Sequence, residues 1–154
     1  MPTIIIKSPK NKEFFSGVSA VLPILIGVIP FGLIFGILGL EAGFSPNQTF
    51  FMSSIIFAGA SQVAFVKLVS SGTVPFITVI SVGIINLRHF LYSASIAKYL
   101  AHLSTPWKII LAYLLTDEAY AVSIKRMQEK KENTVFHHYH LFGSGITLWL
   151  TWQT

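Results

Sequence analysis

Cysteine is absent from the 154 residues, and acidic side chains number only six. Without thiols there is no disulfide, thiolate metal centre, iron–sulfur cluster or cysteine nucleophile. Charge of either sign is scarce: 11% of the residues are Asp, Glu, Lys or Arg, against about 25% in soluble domains. Between Phe14 and Leu87 only Glu41 and Lys67 are charged, too few to cover a water-soluble domain. The net charge of +5 does not point to nucleic acid, because the basic residues gather in two short segments beside apolar sequence. Lys7, Lys10 and Lys12 form one and Lys125, Arg126, Lys130 and Lys131 the other, which is a membrane-topology pattern.

What is present is apolar sequence in long runs. Hydrophobic residues make up 53% of the chain, and the mean hydropathy is +0.66. The uncharged runs 14–40, 42–66 and 68–87 each supply the roughly 20 helical residues that a ~30 Å hydrocarbon core requires. The sequence therefore predicts an all-α, polytopic transmembrane bundle with proline- and glycine-interrupted helices, forming one domain. Residues 1–13 read as a cytoplasmic tail, followed by spans at about 14–40, 48–69, 74–99 and 107–124. A fifth span starts near 137 and is still apolar at Thr154, the pattern of a C-terminally shortened chain. In the first span Pro23 and Pro30 predict a kink or break near Ile26 to Pro30, and Gly32 with Gly36 offers a small-xxx-small contact face.

Polar groups inside such spans persist where they have a role. In the second span Ser54, Ala58, Ser61 and Gln62 share one face of a continuous helix, a stripe suited to other protein or to a cavity. The third span carries Asn86-Leu87-Arg88-His89-Phe90-Leu91-Tyr92-Ser93. Arg at a helix centre costs about 2.5–3.5 kcal/mol on insertion scales, so Arg88 calls for a counter-charge, a wet cavity or an escape route to the interface. Asn86 and Arg88 would point about 160° apart on a continuous helix, a conflict that a local break would resolve. Thr116-Asp117-Glu118 in the fourth span is the expected counter-charge, the alternative being that the two acids cap an interfacial turn. His137-His138-Tyr139-His140 has no carboxylate or thiol at ligand spacing and reads as solvated loop histidines rather than a metal site. The candidate pathway residues are thus Pro30, Gly32, Gln62, Asn86, Arg88, His89, Tyr92, Asp117 and Glu118, with no cofactor and no metal implied.

Pro30-Phe31-Gly32 through Phe35-Gly36, Phe57-Ala58-Gly59-Ala60-Ser61-Gln62, Asn86 through Ser93, and Leu115-Thr116-Asp117-Glu118 occur in the order and spacing of the AzlC family of branched-chain amino acid permeases. The sequence resembles that family over most of its length. The resemblance implies the large subunit of a two-component exporter of amino acids such as valine, in the bacterial inner membrane. It also implies a small AzlD-type membrane subunit as partner. A zwitterion of this kind needs a cation or helix N-terminus for its carboxylate, carbonyls or a carboxylate for its ammonium, and an apolar pocket. Arg88 with Asn86, the carbonyls before Pro30 with Asp117, and Phe31, Phe57 or Phe65 are the candidates. No GxxxxGK[ST] loop is present, so an ion or substrate gradient would drive transport, with Asp117, Glu118 and His89 as proton carriers. The alternatives are a non-transporting membrane scaffold and an intramembrane enzyme using His89 and Asp117 as an acid–base pair.

With a cytoplasmic N-terminus, eight basic residues (Lys7, Lys10, Lys12, Lys67, Lys125, Arg126, Lys130, Lys131) lie inside and two (Lys98, Lys108) outside. The absence of native cysteine makes this testable by single-Cys labelling. A Cys at position 128 or 132 is expected to stay protected from an impermeant reagent added outside, and labelling there would reverse the orientation.

Overall fold

The computed structural model describes residues 10–129 and 136–153. Among these, the chain forms eight α-helices and no strand, in keeping with the all-α membrane fold read from the sequence. They are α1 Lys10–Val21, α2 Leu25–Glu41, α3 Pro46–Ile55, α4 Gly59–Ser70, α5 Pro75–Leu100, α6 Thr105–Tyr113, α7 Asp117–Glu129 and α8 His137–Gln153. Local sequence sets the ends. Ser45 and Gln48 form a reciprocal capping box at α3, and Pro46, Pro75 and Pro106 occupy first-turn positions where no backbone donor is needed. Gly43 (φ +87°) and Gly72 (φ +71°) close α2 and α4 in the left-handed region.

Three expectations about the first spans change. A 3-10 turn at Leu22–Ile24, containing Pro23, joins α1 to α2, whereas Pro30 sits inside α2 on an exposed face and leaves the helix unbroken. The helix begins at Lys10, so 10–13 are not tail: Glu13 is fully buried, and its carboxylate accepts from Arg126 Nη2 at 3.1 Å and Nε at 3.4 Å. Finally, a Cβ at Gly36 would meet nothing within 4 Å and one at Gly32 only Trp152, so the closest helix contact lies elsewhere.

That contact joins α1 to α8. The two run parallel, with Lys10 over the Phe136 and Tyr139 rings, Phe14 against Phe142 (5.9 Å), and Phe31 of α2 against Trp152. A Cβ on Gly17 would overlap the His140 carbonyl, and one on Gly143 would overlap the Phe14 carbonyl. His137, His138 and His140 are buried, in place of the solvated loop expected from the sequence. They occupy the first turn of α8, where His138 meets the Trp107 ring edge-on at 5.2 Å and His140 Nδ1 lies 3.4 Å from Ser123 Oγ. The Glu13–Arg126 pair and the Lys10 contacts put the start of α1, the end of α7 and the start of α8 at one end of the bundle. The core between them contains Val21, Leu111, Leu114, Leu141 and Leu148.

Among the described residues, two helical stretches are long and apolar enough to cross a bilayer: 10–41, taking α1, the 3-10 turn and α2 together, with mean hydropathy 2.6, and Pro75–Leu100, with 1.4. Their outer faces carry Ile26, Leu33, Phe76, Val79, Ile84 and Phe90, all more than half exposed. Contiguous apolar surface on that scale suits hydrocarbon rather than water.

The glycine contacts yield a direct test. Ala at Gly17 forces α1 away from α8 and is expected to cost about 1–3 kcal/mol or more as overpacking. Gly83→Ala, where nothing lies within 4 Å, should be neutral or stabilising by about 0.5–1 kcal/mol. Detergent-unfolding midpoints of the two variants check this, and equal midpoints would contradict it.

Candidate functional site

The second and fourth predicted spans are each cut in two, at 56–58 and 114–116. Both cuts have the same hydrogen-bond pattern. Ile56 N donates to Met52 O, Ala58 N to Ile56 O, and Gln62 N to Ala58 O; 58 residues later Leu114 N donates to Ile110 O, Thr116 N to Leu114 O, and Tyr120 N to Thr116 O. Each cut turns the chain over three residues and starts a fresh helix, so α4 and α7 both begin inside the bundle. The Thr116 hydroxyl caps α7 by accepting from Ala119 N at 3.3 Å. The ends of α3 and α6 are tied together: Tyr113 OH donates to Ser54 O at 2.5 Å, and Trp149 Nε1 donates to Tyr113 OH at 2.7 Å. These cuts correct the continuous helices expected over 48–69 and 107–124. Ser54, on α3, bonds Gln153, whereas Ser61 and Gln62 lie buried on α4, so the four-residue stripe does not exist as one face.

A cavity of about 250 Å³ opens where the two helix starts meet α5, room for about eight waters at ~30 Å³ each. One side is apolar, with Val28, Phe31, Phe57, Leu148 and Trp152; the other carries Arg88, His89, Thr116, Asp117 and Glu118. Arg88 Nη1 meets Asp117 Oδ2 at 2.5 Å, and the Tyr92 hydroxyl reaches the same carboxylate. His89 Nε2 stands 3.9 Å from Asp117 Oδ1. Arg88 Nε, His89 Nε2 and Asp117 Oδ1 have no hydrogen-bond partner. All three atoms are buried beside the cavity, and unsatisfied groups of this kind call for an explanation.

The structure brings together four of the nine candidate residues as cavity lining: Arg88, His89, Asp117 and Glu118. Tyr92 supports them and stacks on Tyr120 at 4.4 Å. Asn86 lies outside the lining and bonds Ser61 Oγ at 2.6 Å. The break expected near Asn86 is absent, since α5 runs unbroken from Pro75 to Leu100. The orientation conflict resolves differently: α4 covers one side of α5 at Asn86 and α7 the other at Arg88. Gln62, Pro30 and Gly32 are also outside the lining, and Phe65 stacks on Phe44 away from it. Missed by sequence reasoning were Trp152, Leu148 and Gly59, whose positions depend on contacts remote in sequence. The N-cap Thr116 followed by two acids was a readable helix start within an apolar run.

Comparison with known proteins adds the following. Residues 23–154 match the family described as AzlC protein. The chain is 30% identical over 146 residues to the "Inner membrane protein YgaZ" of Escherichia coli, covering 94% of this chain and 59% of that protein. It is 36% identical over 123 residues to an "Uncharacterized membrane protein" of Archaeoglobus fulgidus, covering 79% and 53%. A membrane protein of Helicobacter pylori is 29% identical over 143 residues, covering 86% and 62%. The chain thus spans between half and two-thirds of the length of these relatives. No solved structure matches it.

Proposed function

The chain belongs to the AzlC family of membrane proteins, and from that premise we propose that it carries a binding site for branched-chain amino acids on a transmembrane export path. The cavity supports this reading, because its two-sided lining suits a small zwitterion with an apolar side chain. The first-turn amides of a helix have no intrahelical acceptor and form the positive end of its dipole. At α7 Asp117 and Glu118 already occupy that end, whereas α4 begins Gly59-Ala60-Ser61 with no acid. The substrate carboxylate is assigned to the start of α4 beside Arg88, in place of the Arg88 and Asn86 pairing read from the sequence. Arg88 neutralises Asp117, which leaves Glu118 to receive the substrate ammonium. Val28, Phe31, Phe57, Leu148 and Trp152 face the branched side chain.

Discontinuous helices whose starts point at a shared site are a recurrent transporter design, and the matching cuts at 56–58 and 114–116 favour that design here. The proposal places the protein as a multi-pass component of the bacterial cytoplasmic membrane, N-terminus inside, acting with a small AzlD-type subunit.

The test is valine efflux from loaded vesicles bearing the chain with such a subunit. Efflux above empty vesicles is expected, with a loss of about 10-fold or more in Glu118→Gln, since a charged hydrogen-bond partner is worth roughly 1.5–3 kcal/mol. No efflux from the wild type, or full efflux in Glu118→Gln, would contradict the assignment.

A further inference from the structure

The apolar wall of the cavity depends on a residue that does not line it. Gln62, one turn into α4, has no solvent exposure. Its Oε1 accepts from Trp152 Nε1 at 3.2 Å, and its Nε2 has no partner. Trp152 stacks on Phe31, with ring centroids 5.7 Å apart and planes 29° apart, and both rings line the cavity. Gly59 sits against the same two rings: a Cβ there would lie 2.8 Å from Phe31 Cε1 and 3.1 Å from Trp152 Cη2. The start of α4, assigned above to the substrate carboxylate, is therefore in contact with the wall that would meet the substrate side chain.

A buried amide is costly unless it is hydrogen-bonded. Gln62 makes one side-chain bond with half of its amide unpaired, a poor arrangement for stability alone. What that bond does is hold an indole. Without it, Trp152 keeps its stacking on Phe31 but loses the polar anchor that fixes how far the ring projects into the cavity. Both rings stand in the lining of the site, so ring position bears on which side chains fit.

We propose that Gln62 is a positioning residue for Trp152, and that Trp152 with Phe31 sets the upper size limit of the amino-acid side chain the site accepts. This rests on the amino-acid reading of the cavity. Apolar pockets discriminate by about 10–200-fold per methylene, so a wall held in place favours valine over phenylalanine by at least the lower figure.

The experiment is equilibrium binding of radiolabelled L-valine and L-phenylalanine to the full chain in detergent, a readout independent of transport. Wild type is expected to prefer valine by about 10-fold or more. Gln62→Leu, which keeps the volume and removes the acceptor, should lower that ratio several-fold although residue 62 does not touch the ligand. Trp152→Phe removes the donor and should shift the ratio the same way. The double variant should match Trp152→Phe alone, because the same bond is already lost. A ratio unchanged in both single variants, with valine binding intact, overturns the inference and leaves the amino-acid reading standing. Failure of the wild type to bind either amino acid removes both.

Discussion

A lone guanidinium or carboxylate is costly in hydrocarbon, and the contact of Arg88 with Asp117 at 2.5 Å offsets part of both costs at once. The contact also has a mechanical effect. Arg88 is on the unbroken helix α5, and Asp117 is the first residue of α7, so the ion pair fixes where the second half of a broken helix begins. The Glu13–Arg126 pair ties the other end of α7 to α1. Between these two ion pairs, α7 presents Glu118 to the cavity and Tyr120 to Tyr92. The site is thus assembled from helices anchored by charge, with side chains that are largely apolar elsewhere.

The matched cuts explain how irregular backbone persists in such a protein. In lipid every backbone polar group must find a protein partner or a wet cavity. At each cut one last-turn carbonyl of the first half, Met52 O or Ile110 O, accepts from the turn, and the Tyr113 hydroxyl donates to Ser54 O. Gly59 and Ala60 of the first turn of α4 lie in the cavity lining, where the proposed substrate carboxylate would serve as acceptor for their amides. Close approach of α1 to α8 through Gly17 and Gly143 keeps the bundle compact around this arrangement.

The membrane class, the family and the proximity of Arg88 to the 116–118 segment were legible in the sequence, because a charge within an apolar run is a strong signal. The break at 56–58 was not, and the one at 114–116 was signalled only by Thr116 and the two acids after it. Neither cut contains proline, and hydropathy barely changes across Ile56-Phe57-Ala58 or Leu114-Leu115, so a helical period was carried through both. Pro30, the more conspicuous breaker, faces outward and is accommodated, while Pro23 marks the actual interruption of the first helix. The burial of Glu13 depends on Arg126, 113 residues away, and that of His138 and His140 on Trp107 and Ser123 of other helices, contacts that no local pattern signals. Trp152 and Gln62, 90 residues apart, meet for the same kind of reason.

The dependence of the site on the Arg88–Asp117 pair is most directly tested by a double-mutant cycle on Arg88→Gln and Asp117→Asn, with unfolding followed in detergent and Glu118→Gln as control. Each side chain is about a third exposed, so each single variant is expected to lose about 2–3 kcal/mol, less than the ~3–5 kcal/mol of a fully buried pair. The double variant should lose less than the sum by at least about 1 kcal/mol, with Glu118→Gln close to wild type. Additive losses would show that the two charges are independent and that the second half of the broken helix is held in place by something else.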